Sequence, residues 1–564
     1  MDEKIVETKQ CKFCGTSFAI TDVDLAFYEK ISPILAWKKY AIPSPTLCPD
    51  CRQQRRLAQQ NMYKLYQSTC SKTGAPMISM YSPDKGLTVY NQKTRRSDVR
   101  NPLDYGKAYD FSKMFFQQFD ELNKKIPHVN LNTDFTIDEN SSFCNYAGQQ
   151  KDCYLMFHSS LNEKCFFGTG IKECKNVVDA LNCFYSNEMY ECIDCFNCYN
   201  LLYSQACKDC NNSYYLQDCI WCSNCFSCKN LINQSYCIEN KVYSKEEYEE
   251  KIQAIISRDT TDVLKDTARR FFRWLPEKSF HGINNERVSW DNIINCKYVY
   301  ESFDIQESES MKYCERIYNW PNKNCYDVDQ FGLRMQKIYE CSEVWFDATD
   351  VHFSISCRNN IFNIFYCFEV ISSKNLFGCI WLRNKEYCIL NKQYTKEEYE
   401  KLVPQIIEKM IADPAKDGAG AEWWEFFPSH ISPFWYNETV AMEYYPFTKE
   451  EALAKWFKRS DYEAPFPKTD AKDVIICEVS SKPFRIIPQE LAFYNKHNLP
   501  LPTKHPDVRH AERIKLRNPR KLRNRTCSKC GTDMQTTYAP DLPDVAGRPE
   551  VVYCEQCYNK EIYG

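Results

Sequence analysis

The sequence is poor in the residues on which most cofactor loops and catalytic sites depend. Its 564 residues include only 15 glycines and 8 histidines. It contains no G-x-G-x-x-G, P-loop, HExxH or G-x-S-x-G pattern, so the usual motifs for dinucleotides, nucleoside triphosphates, zinc proteolysis and serine hydrolysis are excluded. Because no catalytic motif is found, we expect a non-catalytic protein.

The chain also lacks a strong charge imbalance and a long apolar run. Its formal net charge is −3 and its pI is near 6.3, so any affinity for nucleic acid must come from local patches. There is no uninterrupted apolar stretch of about 18 residues, and no basic segment followed by an apolar one at the start. We therefore expect a cytoplasmic protein without membrane contact, in which thiols stay reduced.

Cysteine is the residue that the sequence has in excess, with 33 copies. Eight of them form CxxC pairs near the two ends of the chain. Two such pairs separated by a few dozen residues supply the four thiolates of a tetrahedral zinc site. The sequence therefore predicts two zinc ions per chain, one held by Cys11, Cys14, Cys48 and Cys51, the other by Cys527, Cys530, Cys554 and Cys557.

The two ends of the chain are copies of one module. The segment "FAITDVDLAFYEK" (18–30) aligns with "FRIIPQELAFYNK" (484–496), and "PSPTLCPDCRQQRR" (43–56) aligns with "PLPTKHPDVRHAER" (500–513). The match continues where "KLYQSTCSKTG" (64–74) aligns with "KLRNRTCSKCG" (521–531). Each module thus holds two ribbons, of which one keeps its ligands. The degenerate ribbons carry Cys477, Ser480, His505 and Val508 at one end, and Cys70, Thr73, Asn91 and Thr94 at the other.

The middle of the chain is duplicated as well. The segments "YCIENKVYSKEEYEEKI" (236–252) and "YCILNKQYTKEEYEKLV" (387–403) are near-identical, and each carries a capping box that predicts a closing helix: Ser244 with Glu247, and Thr395 with Glu398. Thr448 and Glu451 repeat the same signal. The residues before each helix are rich in Cys, Asn, Tyr and Phe, with short β-prone pieces between turn residues.

These patterns predict a mainly β fold, with zinc ribbons of the treble-clef or ribbon type flanking a duplicated, Cys-rich β-solenoid-like core with short capping helices. The expected boundaries are a ribbon module over 1–100 (metal-bound 8–60, degenerate 61–100), a connector 101–130, a first repeat 131–257, a linker 258–285, a second repeat 286–412, an aromatic and helical linker 413–470, and a second module 471–564 (degenerate 471–525, metal-bound 526–560).

The central cysteines recur about every 18 to 21 residues, which suggests a solenoid coil of that length. We expect Cys174, Cys192, Cys210 and Cys228 to form a structural ladder of buried thiols, because Cys packs as a small apolar residue. Triplets such as Cys192, Cys195 and Cys198 then need a corner between successive thiols, since residues three apart point to opposite faces of a strand. Additional zinc and an iron–sulfur or redox role remain alternatives.

Basic residues follow the ribbons' ligand positions. Arginines on a helix beside a zinc ribbon suit phosphate contacts, so RNA, DNA or a ribonucleoprotein is the preferred partner, and a solvated helix face or a protein contact is the alternative. The candidate contact residues are Arg52, Arg55, Arg56, Arg509, Arg513, Arg517, Arg520, Lys521, Arg523 and Arg525.

The run "CKFCGTSFAITDVDLAFYEK…PTLCPDCRQQRR" resembles a small bacterial zinc-ribbon family of unknown function. Taken whole, the chain is similar to a larger group of uncharacterised bacterial proteins with the same opening ribbon, a "YSPD" segment, a Cys-rich middle ending in "KEEY" and a "VYCEQCY" tail. The resemblance implies zinc ribbons but no activity. We therefore predict a non-catalytic zinc-binding protein in which a rigid core spaces two nucleic-acid-binding modules; the alternative is a protein–protein scaffold that uses the Tyr- and Phe-rich core surface.

Overall fold

The computed structural model describes residues 3–97, 101–133, 136–317, 322–329, 338–345, 349–413, 422–463, 474–539 and 550–564. The chain forms two compact units, each with helices and large, mostly parallel sheets. Unit N contains residues 1–130 and 281–462, and unit C contains residues 131–280 and 463–564. Each unit thus combines one terminal module with one half of the duplicated middle.

Unit C is built on a nine-stranded sheet, which we call ladder C. Strands that follow each other in the chain are neighbours in the sheet, and all pair in parallel except the last. Most register partners are separated by twelve positions in the sequence, as in Tyr190 with Leu202 and Cys225 with Cys237. The strands are Asn145–Lys151, Phe157–Glu163, Lys175–Val178, Asn187–Tyr190, Tyr199–Leu202, Asn211–Gln217, Ser223–Lys229, Ser235–Ile238 and the antiparallel Lys241–Val242.

A left-handed residue recurs at every third position of ladder C. Positive φ is found at each third residue from Asn140 to Glu239, and many of these residues are Asn or Asp, which tolerate that region best. The backbone turns at each of them, so Asp194 and Asn197 provide the corners between Cys192, Cys195 and Cys198. The structure therefore contains the corners that the cysteine triplets require.

The twelve-residue register corrects the expected coil length of about 18 to 21 residues. Ser186 N–H donates to Cys174 Sγ and Cys222 N–H donates to Cys210 Sγ, both over 3.4 Å, so positions twelve apart stack. Since eighteen is one and a half times twelve, Cys174 and Cys210 share one column while Cys192 and Cys228 share another. All four thiols are buried. The expected ladder is thus divided between two columns.

Unit N is built on a ten-stranded sheet, ladder N, whose register is less regular. The separation of register partners is fourteen at Ser308 and Asn322 and twelve at Phe362 and Lys374. Its strands are Glu286–Val288, Lys297–Tyr300, Ser308–Lys312, Asn322–Tyr326, Ile338–Tyr339, Thr349–His352, Phe362–Phe365, Lys374–Phe377, Glu386–Ile389 and Lys392–Gln393; smaller sheets pair Gly282–Ile283, Ile293–Ile294, Phe303–Gln306 and Glu315–Ile317, and Ser342–Trp345 with Ile355–Arg358.

Short two-stranded sheets form the terminal modules and fix the positions of their turns. In unit N the pairs are Ile5–Gln10 with Ser17–Thr21, Ile34–Leu35 with Lys38–Lys39, Tyr66–Thr69 with Pro76–Ser79, and Val89–Tyr90 with His128–Val129. In unit C they are Val474–Ile476 with Pro483–Arg485, Arg523–Thr526 with Asp533–Thr536, and Glu277–Lys278 with Val552–Tyr553.

All three predicted capping boxes are confirmed, at Ser244, Thr395 and Thr448. Among the described residues, each helix is too short or too polar to cross a membrane. The helices of unit N are Asp22–Ile31, Pro49–Leu57, Gln92–Arg96, Phe115–Lys125, Lys396–Ala412, Ala441–Tyr444 and Lys449–Ala454; those of unit C are Lys245–Arg258, Thr261–Phe272, Pro488–Lys496, Pro506–Lys515 and Glu555–Ile562.

The segments expected to be connectors belong to the cores of the units. Phe115 and Phe119, from the expected connector 101–130, are buried in the aromatic core of unit N, as are Trp423 and Phe427 from the expected linker 413–470. Leu264, from the expected linker 258–285, packs with the closing helix of ladder C. Their apolar residues are therefore structural, because they cover the outer faces of the ladders.

Candidate metal centres

The first four predicted ligands come together in unit N. The Sγ atoms of Cys11, Cys14, Cys48 and Cys51 all lie within 4.8 Å of one another, and the Cys14 and Cys48 sulfurs are 3.7 Å apart. Four sulfurs at about 2.3 Å from a tetrahedral metal ion are about 3.8 Å apart. This four-cysteine group therefore has the size and the donor set of a tetrahedral metal site.

Local backbone geometry explains why these thiols converge. Cys11 N–H donates to Thr16 O and Gly15 N–H donates to Cys11 O, both over 2.9 Å, and Gly15 completes the turn with φ of 76°. This left-handed position favours glycine. Cys48 is the N-cap of the helix Pro49–Leu57, so Cys51 follows in its first turn. A tight turn and a helix N-terminus thus each present two thiols.

The pKa values of the thiols show that they interact strongly. The pKa of Cys48 is lowered to about 6, because the thiol of Cys51 donates a hydrogen bond to it. The pKa of Cys51 is raised, because it is that donor and because it is buried. Four close thiols cannot all ionise without a cation among them. A bound metal ion would remove this conflict.

The last four predicted ligands form an equivalent four-cysteine group in unit C. The Sγ atoms of Cys527, Cys530, Cys554 and Cys557 lie within 4.8 Å of one another, and those of Cys530 and Cys554 are 3.8 Å apart. Burial acts to raise the pKa of Cys527, but backbone N–H groups, including that of Cys554 at 3.3 Å, lower it to about 6. Both four-cysteine groups can therefore each hold a metal ion.

The two degenerate ribbons keep the turn and its first cysteine, Cys70 or Cys477, but lack the other three cysteines. In unit N, Cys70 N–H donates to Ala75 O and Gly74 N–H donates to Cys70 O. The turns at Cys11 and Cys527, which we call metal-type turns, have the same two hydrogen bonds. Asn91 caps the following helix by accepting from Thr94 N–H at 2.8 Å, whereas Cys554 makes no side-chain cap. The side chain that would bind metal is replaced here by one that caps the helix.

The degenerate ribbon of unit C shows a similar replacement. Ser481 occupies the left-handed position of the turn with φ of 55°, and its N–H donates to Cys477 O over 3.0 Å. His505 caps the helix Pro506–Lys515 through Nδ1, which accepts from Asp507 N–H at 3.1 Å. The imidazole thus acts as a helix cap.

Within the described ranges, clusters of three or more possible metal ligands are found at the two terminal four-cysteine groups, and the central cysteines form no further one. Cys192, Cys195 and Cys198 are buried and belong to a core of thiols, aliphatic residues and methionine. Their thiols donate to backbone carbonyls; Cys198 Sγ, for example, lies 3.3 Å from Phe196 O. The geometry therefore gives no support to an iron–sulfur cluster there.

The arginines that follow the first four-cysteine group point away from solvent. Arg52 is 1% exposed and donates to both carboxylate oxygens of Asp327, at 3.0 and 3.2 Å. Arg56 pairs with Asp327 at 3.3 Å, and Arg55 pairs with Glu340 at 3.0 Å. These acidic residues lie in ladder N, so the arginines attach the ribbon helix to the ladder.

The corresponding arginines of unit C make the same kind of contact. Arg509 and Arg513 are buried and both pair with Asp179 of ladder C. Arg513 Nη1 lies 2.8 Å from Asp179 Oδ1. The sequence alignment places Arg509 over Arg52 and Arg513 over Arg56. The two modules are therefore attached to their ladders by equivalent arginines.

The remaining basic candidates are more accessible. Arg517 pairs with Asp194 at 2.8 Å, and Arg525 donates to Ala539 O at 3.3 Å. Lys521 is exposed, while Arg520 and Arg523 are partly exposed. Half of the predicted contact residues are thus buried, so nucleic-acid contact through them would require the modules to leave their ladders; these residues are Arg52, Arg55, Arg56, Arg509 and Arg513.

Sequence reasoning missed the acidic partners. Asp179 follows Val178 in ladder C, and Asp327 follows Tyr326 in ladder N. Counted from partner to partner across neighbouring strands, both Val178 and Tyr326 lie five strand pairings before the last parallel strand of their ladder. This equivalence becomes visible only once the register is known. Comparison with protein families, curated proteins and solved structures finds no match to this chain.

Proposed function

We propose that the protein is a non-catalytic, zinc-stabilised binding protein. The observation that carries the proposal is the burial, in each module, of the arginines beside its first ribbon against an aspartate of the ladder. A ribbon held in this way stabilises its unit, and a metal with four cysteine ligands has no open position for a substrate. The four-cysteine groups are therefore assigned a structural role.

Zinc is the metal that we assign to both groups. Four thiolates in tetrahedral arrangement suit zinc or iron, and a closed four-sulfur site at a ribbon is typical of structural zinc. Metal analysis of protein purified without oxygen should find two zinc ions per chain in a colourless preparation. A brown preparation with stoichiometric iron would refute the assignment.

We further infer that each ladder winds as a β-solenoid. The inference is supported by the twelve-residue parallel register and by the left-handed residue at every third position of ladder C. Duplicating residues 199–210, one full register step, should then leave a folded protein of nearly unchanged stability. Duplicating residues 199–204 shifts the register by half a step and should prevent folding; equal tolerance of both insertions would refute the inference.

A protein partner is the ligand class that we favour for ladder C. Tyr185 and Trp221 occupy the same corner position three register steps apart, about 14 Å at strand spacing, and Trp221 is 59% exposed. Exposed aromatic residues on a rigid frame are typical of protein contact surfaces.

The partner proposal is tested by comparing matched surface variants in native pull-downs. Trp274→Asp is the control, because Trp274 is an exposed tryptophan outside the ladder. The proposal is supported if the parent protein and this control retain a partner that both Trp221→Asp and Tyr185→Asp lose. Equal retention by all variants would refute it. Nucleic-acid contact through Arg520, Lys521 and Arg523 stays a prediction, which a salt-dependent mobility shift abolished by their neutralisation would test.

A further inference from the structure

A shallow cleft, open to solvent, lies beside the first four-cysteine group in unit N. Its lining includes Lys12, Phe13, Cys51, His430, Lys455 and Trp456. The lining thus combines cations with aromatic rings next to a metal ligand. Neither the metal proposal nor the attachment of the ribbon to ladder N uses these aromatic and lysine side chains.

Trp456 is the most unusual residue of the cleft. It is 82% exposed and has a φ of 64°. It lies two positions after Ala454, the last residue of the helix Lys449–Ala454, and the next residue, Phe457, donates its N–H to Ala452 O over 2.9 Å. This closure is a helix C-terminal motif whose left-handed position favours glycine. A tryptophan there gains little from burial and strains the backbone, by about 1 kcal/mol or more. Its indole ring therefore contributes little to the packing of unit N.

Two lysines, Lys12 and Lys455, line the same cleft as this ring, and neither has an acidic partner among the residues that the structure describes. Lys455 Nζ lies 4.8 Å from the centre of the Phe13 ring and 5.7 Å from that of Phe447. Lys12 also lines the cleft and is exposed, and its backbone N–H donates to Thr46 O. Two cations beside an exposed indole and half-buried phenyl rings suit a ligand that is both planar and anionic.

Phe13 and Phe457 pack against each other in the lining of the cleft. Their ring centres are 6.0 Å apart in an edge-to-face arrangement, and Phe457 lies 4.3 Å from the ring of Tyr436. Phe457 is buried, while Trp456 next to it is not. The packed rings therefore form a rigid base from which the exposed indole projects.

We propose that this cleft binds a nucleotide unit, with the base stacked on Trp456 and the phosphate held by Lys12 and Lys455. Both a free mononucleotide and one residue of a single strand supply this chemistry. The inference is independent of the protein contact assigned to ladder C, since it uses other residues in the other unit.

Two residues of this cleft, Lys12 and Phe13, are not repeated in the module of unit C. In the alignment of the modules, Lys12 and Phe13 correspond to Glu478 and Val479. Within the described residues, the site therefore belongs to the ribbon that kept its metal ligands near the start of the chain.

Trp37 offers a matched control. It is also a tryptophan with positive φ, 67°, and it is 99% exposed. Its neighbours Lys38 and Lys39 pair with Glu408 and Glu29, so it stands outside the cleft and beside cations that are already neutralised. Replacing either tryptophan by alanine should leave the fold intact.

The test is calorimetric titration of the zinc-loaded full chain with AMP, adenosine, inorganic phosphate and pentaadenylate at about 50 mM salt. We expect Trp456→Ala to weaken AMP binding by about tenfold or more, since stacking contributes roughly 1–3 kcal/mol per base, and Trp37→Ala to leave it unchanged. Lys12→Gln with Lys455→Gln should weaken binding about threefold to tenfold and flatten its salt dependence.

The outcomes separate the parts of the proposal. Tighter binding of pentaadenylate than of AMP supports a strand as the source of the nucleotide, and equal binding supports a free mononucleotide. No binding of either at about 1 mM, equal loss in both tryptophan variants, or phosphate binding as tight as AMP binding would overturn the proposal. Trp456→Gly, which relieves the left-handed strain, should melt no lower than the parent; a lower melting temperature would show that the ring is structural instead.

Discussion

Units N and C carry the same attachment between module and ladder but differ in the ribbon that keeps its metal ligands. In unit N the four-cysteine group is in the first ribbon, directly before the arginines that contact ladder N. In unit C it is in the second ribbon, and the equivalent arginines follow a ribbon that has one cysteine, Cys477, at its four ligand positions. The arginine–aspartate contact is thus maintained without a metal site beside it.

The two ladders differ in the regularity of their register and in the residues of their interior. Ladder C keeps a regular twelve-residue register and fills its interior largely with thiols. In ladder N the separation of register partners varies from eleven to fourteen, and the interior combines aliphatic residues such as Val351, Ile364 and Leu376 with buried cysteines such as Cys367 and Cys379. A small side chain such as Cys fits a narrow, regular interior, whereas larger aliphatic residues accompany the irregular register. The architecture therefore tolerates two different cores.

Removing one metal ligand in each unit should have the largest effect. Cys14→Ser and Cys530→Ser each change the second, exposed cysteine of a metal-type turn. Each variant should bind one zinc ion in place of two. It should also lose much of the metal-linked folding energy of its module, which is about 10 kcal/mol in small zinc domains. Zinc analysis and thermal unfolding measure both effects.

The control for this comparison is Cys70→Ser, which changes a cysteine of a degenerate ribbon. It should keep two zinc ions, because Cys70 belongs to neither of the two ligand clusters of the described residues. Loss of zinc in this variant would contradict the assignment of the ribbons.

Restoring the lost ligands of unit N should add a third metal ion. The triple variant Thr73→Cys, Asn91→Cys, Thr94→Cys would reproduce the ligand set of unit C on a turn that is already formed at Cys70 and Gly74. The gain in metal-linked stability should be partly offset by loss of the Asn91 cap, about 1 kcal/mol. A zinc content that stays at two would show that the backbone of this ribbon has drifted too far to bind metal.

Breaking the shared attachment should affect both units to a similar extent. Asp179→Asn and Asp327→Asn each leave two buried arginines without their common carboxylate. Removing one partner of a buried ion pair costs about 3–5 kcal/mol. Denaturant unfolding should show this loss in each variant. The control Asp209→Asn, at a partly exposed corner where the carboxylate accepts from Asn197, should lose well under about 1 kcal/mol.

The smallest expected effect is a pH dependence that belongs to unit N. Burial, and then the nearby charge of Arg95, lower the pKa of His128 to about 3. Because this value lies below that of an unfolded histidine, near 6.5, the contribution to stability is complete above pH 6.5 and falls as the pH drops toward 3. The loss is about 1.4 kcal/mol per pH unit.

Unfolding at pH 7.5 and at pH 5.5, about one unit above and below the histidine pKa, measures this dependence. His128→Gln should flatten the difference between the two pH values, whereas the exposed His430→Gln should not. An unchanged difference in His128→Gln would assign the acid sensitivity to other groups, such as the metal-binding thiols.

The sequence determined the ligand sets, the duplications and the capped closing helices, because each depends on residues that are close in sequence or that recur in aligned copies. Two CxxC pairs by themselves indicate a four-thiolate metal site, and a capping box needs only four consecutive residues. The twelve-residue register could not be predicted from the cysteine spacing. Because the backbone turns at every third residue, cysteines separated by any multiple of three all point to the interior. Their spacing therefore does not show which multiple separates register partners. Tertiary structure decided which multiple stacks and which arginines are buried. Arg52 and Arg509 looked like phosphate-binding residues because their aspartate partners are hundreds of residues away, and only folding brings these opposite charges together.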